Sequence, residues 1–163
     1  MNKKILILGL GNKLLQDEGL GIKVLEKLDK SYIFSPEVNL LDGGTGAFFL
    51  LPYLEEADYL IIIDAIESSE EPGTIYFLDL SKIPENFLEK ISLHEVSFQD
   101  ILNVLKFKGK AFQEIYLAGI VPKSLKLGLE LSKEVEEKIE ELINLILLKL
   151  QEWGISYSLK EEM

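Results

Sequence analysis

Tyr59-Leu60-Ile61-Ile62-Ile63-Asp64 is an unbroken apolar, largely β-branched run that stops on a carboxylate. A run of this kind suits a strand covered on both faces, and therefore the middle of a sheet. Outward from it, Ile5-Leu6-Ile7-Leu8 is a second continuous run that ends at Gly9, and Val38-Asn39-Leu40-Leu41 a third, broken by Asp42-Gly43-Gly44-Thr45. Pro72-Gly73 opens into a fourth strand, Thr74 to Leu78, and the short link back to the central run predicts an antiparallel partner there. Ile115 to Ile120, closed by Val121-Pro122, makes the fifth.

Helical spacing fills the gaps. Ile22, Leu25 and Leu28 recur on one face of a helix expected from about Asp17, where the acidic pair Asp17-Glu18 complements a helix N-terminus. Thr45 can cap the next helix, but Pro52 conflicts with a helix interior, so that helix is either kinked or begins near Leu51. Phe98, Ile101, Leu102 and Leu105 mark another, with Ser97 as its cap, and from Ser132 the positions Val135, Ile139, Leu142, Ile143, Ile146, Leu147 and Leu150 draw one apolar stripe. The expected fold is α/β, a single three-layer domain with a mixed, mostly parallel five-stranded sheet and helices on both faces. It spans residues 1–155, and the polar tail 156–163 is expected to fray.

A chain of 163 residues, 47% hydrophobic, suffices for one substantial core. Its formal charge of -11 disfavours nucleic acid and anionic membranes as partners, and leaves a protein or a cation. There is no cysteine, which excludes disulfides, thiol catalysis and thiolate metal sites. The short apolar run after Met1-Asn2-Lys3-Lys4 lacks the length and cleavage site of a signal peptide, so a cytoplasmic protein without membrane insertion is expected.

Ligands in open α/β sheets gather beyond the carboxyl ends of strands. Those positions carry Gly9-Leu10-Gly11-Asn12 with Asp17-Glu18, then Asp42-Gly43-Gly44-Thr45, then Asp64, then Pro122, and the single histidine, His94, lies in Ser92-Leu93-His94-Glu95. A dinucleotide fingerprint would need a third glycine where Leu14 stands, and Gly11-Asn12-Lys13-Leu14 is not a phosphate loop, so no nucleotide cofactor is expected. No serine occupies a Gly-x-Ser-x-Gly elbow, and one histidine cannot make a His-Glu-x-x-His zinc site. Two carboxylates and one imidazole remain, a donor set suited to nickel, iron, manganese or zinc. Each has a plainer reading: Asp64 as a turn cap, Glu18 as a helix-dipole partner, His94 as a loop residue, Asp42 as an Asx-turn residue and the glycines as tight turns that shape the loop aiming Glu18.

In order along the chain, Gly9-Leu10-Gly11-Asn12-x-Leu14-x-x-Asp17-Glu18-Gly19-x-Gly21, Asp42-Gly43-Gly44-Thr45, Ile63-Asp64-Ala65 and Lys90-Ile91-Ser92-Leu93-His94 resemble the hydrogenase maturation endopeptidases. Pro72-Gly73-Thr74, Phe107-Lys108-Gly109 and Gly119-Ile120-Val121-Pro122 are further landmarks of that resemblance. It implies an aspartyl-type-like endopeptidase whose partner is the precursor of a nickel-iron hydrogenase large subunit, from which it trims a short C-terminal peptide. The metal ligands it implies are Glu18, Asp64 and His94, meeting the nickel already held by the client. Many relatives have Asp where Glu18 stands, an exchange of one carboxylate for another, and some have proline where Leu93 stands. Asp42 is the candidate non-ligand carboxylate for positioning peptide or water, with Asp42, Gly43, Gly44 and Thr45 as the substrate-binding segment. Two other readings compete: a non-catalytic, nickel-dependent escort for the large subunit, separable by whether peptide is released, and a nucleotide-binding α/β domain, which the missing third glycine opposes.

Overall fold

In the computed structural model, residues 3–44, 48–82, 92–93 and 96–161 are described. Five strands lie side by side: β1 (Ile5–Leu10), β3 (Val38–Gly44), β4 (Tyr59–Glu67), β5 (Ile75–Asp79) and β7 (Glu114–Ile120). Of the strands between them in sequence, β2 (Tyr32–Phe34) lies outside this sheet and β6 (Ser92–Leu93) joins it only through β4. The order across the sheet is β3-β1-β4-β7-β5, with β6 pairing β4 off this path. The apolar run Tyr59 to Ile63 is central as expected, with β1 and β7 both parallel to it. Pro72-Gly73 turns the chain back, but β5 is antiparallel to β7 and not paired with the central β4 as expected, because β7 takes the place beside β4.

Alternation along the strands splits the core into two layers. Ile5, Ile7, Ile61, Ile63, Ala118 and Ile120 face α1 (Leu20–Ser31) and the long C-terminal helix, Ile139–Glu152. Leu6, Leu8, Leu60, Ile62 and Leu117 face α2 (Leu51–Glu56) and α3 (Val96–Phe107). This is a single α/β domain with helices on both faces of a mostly parallel sheet.

Several boundaries differ from expectation, each for a local reason. Gln16–Gly19 is a tight 3-10 turn, and the α-helix proper begins at Leu20. Leu51 does start α2, so Pro52 falls in the first turn, where a missing N–H costs no intrahelical bond. The helix containing Ser97 begins at Val96, so Ser97 lies within the helix and not before it. Ser132 caps α4 (Lys133–Glu136), its side chain accepting from the Val135 amide, and α5 (Ile139–Glu152) follows after a short break. Thr45 lies outside the described residues.

The tail does not fray as expected: β8 (Tyr157–Leu159) pairs antiparallel with β2. Burial of aromatic surface is the cause. The Tyr157 ring packs on Tyr32 and Phe34 at centroid distances of 5.7 and 6.2 Å, just beyond the buried Trp153 and Ile155.

Candidate active site

The register fixes where the strand-end residues stand. Gly9 pairs with Asp42 on one side and Ile63 on the other, so Asp42 and Asp64 flank the end of β1. Two strand spacings separate them, roughly 10 Å along the sheet. Their side chains point to opposite faces, because Asp42 shares the parity of Gly9 and Ile63 while Asp64 is one residue on.

Four glycines let the turn carrying Glu18 settle on this edge. A Cβ on Gly21 would come within 2.2 Å of the Ile63 carbonyl oxygen and 2.3 Å of that of Leu10. One on Gly9 would meet the Gly21 carbonyl at 2.6 Å, and one on Gly19 the Lys13 Cα at 2.7 Å. Gly11, at φ +133°, would carry a Cβ 1.9 Å from the Glu18 carbonyl oxygen. The glycines read from the sequence as turn formers therefore act as contact surfaces. Only hydrogen at these positions permits the Gln16–Gly19 turn to lie against the ends of β1 and β4.

That packing takes Glu18 to 9% exposure, and Asp64 is fully buried with its Oδ1 accepting from the Ala65 amide at 2.8 Å. Both carboxylates are thus drawn out of water at one rim, on elements in direct contact. His94 lies outside the described residues. The pair preceding it is placed: Leu93 registers with Ile66 and Ser92 with Glu67, on the strand that carries Asp64. Among the described residues, no three acidic or imidazole side chains converge as a metal cage.

Asp42 is exposed, and its Oδ1 accepts from the Gly44 amide at 2.9 Å, the Asx turn that its place before two glycines suggested. Gly43 has no room for a side chain, since a Cβ would meet the Leu8 and Leu10 methyls at 2.8 and 2.9 Å. Gly44 takes φ +55° to turn the chain.

The structure gives Asp17, read from the sequence only as half of an acidic pair at a helix N-terminus, a further role. Asp17 is fully buried, and its carboxylate accepts from the amides of Lys123 at 2.9 Å, Ser124 at 3.0 Å and Ser132 at 2.7 Å, and from the Ser132 hydroxyl at 2.8 Å. Four donors saturate a carboxylate, so Asp17 fastens the loop after β7 to the turn that bears Glu18. Backbone bonds reinforce the seam: Gln16 N donates to the Gly128 carbonyl at 2.9 Å, Gly128 N to that of Leu14 at 2.9 Å, and Asp17 N to that of Ser124 at 3.1 Å. Ser132 was legible as a helix cap, but partners more than a hundred positions away leave no local signal in Asp17.

A groove of about 250 Å³ opens at the same rim, lined by Glu67, Ser68, Val121, Pro122, Lys123 and Leu125. Beside it the Glu134 carboxylate, 2.8 Å from Lys123, raises that ammonium above its ordinary pKa. A larger cavity, about 590 Å³, lies at the opposite edge among residues such as Lys4, Glu37 and Tyr53, far from the strand ends that carry the carboxylates. Size does not mark the site here: the larger cavity is lined by none of the buried acids Asp17, Glu18 and Asp64.

A family model described as hydrogenase maturation protease matches residues 22–149. The chain belongs to the hydrogenase maturation protease family. The hydrogenase 2 maturation protease of Escherichia coli K12 is 39% identical over 153 residues, covering 93% of each chain. The hydrogenase expression/formation protein HupD of Bradyrhizobium diazoefficiens is 36% identical over 159 residues, covering 96% of this chain and 83% of its own. The solved structure of the E. coli hydrogenase maturating endopeptidase HybD superposes with a TM-score of 0.89 at 38% identity, over 96% of this chain and 98% of that one. The maturation protease fold and endopeptidase activity expected from the ordered motifs are thus those of the family. No helix among the described residues is long and apolar enough to cross a membrane.

Proposed function

We propose that this maturation protease removes a short C-terminal peptide from the precursor of a nickel-iron hydrogenase large subunit, and does so once nickel has been installed. The observation that carries the reading is the seating of the Glu18 turn on the end of β4, with Glu18 and Asp64 both withdrawn from water at one rim. Two such carboxylates make an anionic site that a divalent cation matches, and an imidazole from His94 would complete a set of oxygen and nitrogen donors. In this reading the metal arrives with the client. Nickel held by the precursor's own ligands offers open positions, and Glu18, Asp64 and His94 approach from the other side. An empty precursor lacks that anchor, so its tail is not held near the cleft, and metal occupancy becomes a condition for cutting. Asp42-Gly43-Gly44 borders the same edge, where the exposed Asp42 carboxylate has one oxygen engaged in its turn and is the candidate to orient peptide or water.

The test is to incubate the purified protein with nickel-loaded and nickel-free precursor and follow release of the tail by mass spectrometry. Release from the loaded precursor alone is expected. Equal release from both would remove the sensing role, and release from neither, with binding retained, would favour the escort reading.

A further inference from the structure

The sheet ends on one side at β3, and among the described residues no strand pairs with its outer edge. The register with β1 fixes which groups face outward. Ile5 N donates to the Glu37 carbonyl and Ile5 stands opposite Val38, so in this parallel ladder Asn39 and Leu41 direct their N–H and C=O groups at β1. Val38, Leu40 and Asp42 direct theirs away from the sheet. The Val38 amide turns back onto the Ser35 carbonyl at 3.1 Å, but the backbone N–H and C=O groups of Leu40 and Asp42 have no partner among the described residues.

This edge is also unguarded. Sheet edges are usually protected from stray pairing by a charge, a proline or a covering element. Val38-Asn39-Leu40-Leu41 carries neither charge nor proline, in a chain that is 28% charged. At its carboxyl end the strand delivers Asp42 to the rim, across β1 from the strand that bears Asp64. At its amino end it borders the cavity of about 590 Å³, whose lining includes Val38 and Asn39 of β3 and Tyr53 and Glu56 of α2. One strand thus joins the candidate site to the larger cavity, and Val38 to Asp42 spans about 13 Å.

We infer that the outer edge of β3 is the binding track for the cleavable tail of the hydrogenase precursor, which joins the sheet as an antiparallel strand. This rests on the proposed substrate and deepens it by naming how the tail is held. An extended backbone offers a donor and an acceptor at every second residue, and that is the pattern Leu40 and Asp42 present. Direction follows from the place of the site. With the metal-bearing body at the carboxyl rim and the cut beside Asp42, the chain beyond the cut leaves along the edge, against the run of β3, and arrives at the cavity. Backbone pairing reads no particular side chain, so the edge supplies hold and register while the metal supplies selection.

The test is a proline scan of the tail in nickel-loaded precursor, starting at the third residue beyond the cut and assayed with the unaltered protease at equal nickel content. Each proline removes one N–H, and on an added strand only alternate N–H groups face β3. KM is expected to rise about tenfold at every second position with kcat unchanged, and to stay put at the positions between. If the parent precursor is not cut when loaded, the proposed substrate fails. If it is cut and the scan is flat, or sensitive without alternation, the edge fails. Sedimentation at assay concentration covers the other occupant: a dimer of the protease together with a flat scan would assign the edge to a second copy of the chain and overturn the inference.

Discussion

The two rims of the sheet treat charge in different ways. At the amino rim, charged groups find side-chain partners close to water: Trp153 Nε1 donates to Glu114 at 2.7 Å, Lys149 pairs with Glu152 at 2.5 Å, and Asp79 accepts from the Ser81 hydroxyl at 2.6 Å. At the carboxyl rim, Asp17, Glu18 and Asp64 are drawn inward on elements that glycines allow to touch, and Asp17 is satisfied by amides and a hydroxyl from a distant loop. Charge near the surface contributes little to stability and can be exchanged cheaply. A buried carboxylate held by backbone donors is costly to disturb and fixes geometry. The amino rim thus decorates the fold, while the carboxyl rim holds a shape ready for chemistry.

This contrast can be broken from its strong end first. Asp17→Ala leaves three amides and a hydroxyl without their acceptor, and should lower unfolding free energy by about 4 kcal/mol by chemical denaturation. Glu114→Gln at the amino rim should cost less than about 1 kcal/mol, and comparable losses from both would erase the distinction. Gly21→Ala, forcing a methyl to 2.2 Å from a backbone carbonyl oxygen, should cost about 3 kcal/mol and lift the Glu18 turn off β4. Asp64→Asn keeps the shape and removes the charge, so precursor processing should fall about a hundredfold while the denaturation midpoint holds.

The smallest expected effect sharpens the other side of the comparison. Burial pushes the Asp79 carboxyl up, but the Ser81 hydroxyl and amide, together with the charges of Lys82 and Lys149, hold the pKa below the ordinary value of 3.8. A lowered folded pKa contributes stability above the unfolded value and loses it as pH falls through the folded one. Ser81→Ala should therefore destabilise slightly at neutral pH, with the gap to the parent closing in acid below that range. A gap that widens in acid would contradict the assignment.

Much of this architecture was legible beforehand because its cause is local. Continuous β-branched runs must be covered on both faces, which placed Tyr59 to Ile63 in the middle, and a short Pro-Gly link predicted the direction of β5, although its neighbour is β7 and not the central β4. Strand ends face ligands, which put Asp17-Glu18 and Asp64 among the candidates, and the ordered resemblance then nominated Glu18 and Asp64 as ligands. The tethering role of Asp17 was not legible, since it lies in amides 106 to 115 positions away. The β2–β8 pair escaped for a similar reason: Tyr157 looks like part of a polar tail until Tyr32 and Phe34 are beside it. The glycines were correctly read as permissive, but whether they permit a turn or an approach depends on what lies opposite.

The central claim is that Glu18, Asp64 and His94 can take hold of one metal ion, and a crystal soaked in a divalent transition metal, recorded at that metal's absorption edge, tests it most directly. The account expects a single strong anomalous peak at the carboxyl rim, about 2.0–2.2 Å from an oxygen of each carboxylate and from an imidazole nitrogen. A fully soaked crystal with that rim vacant, or with the ion held by other side chains, would contradict it.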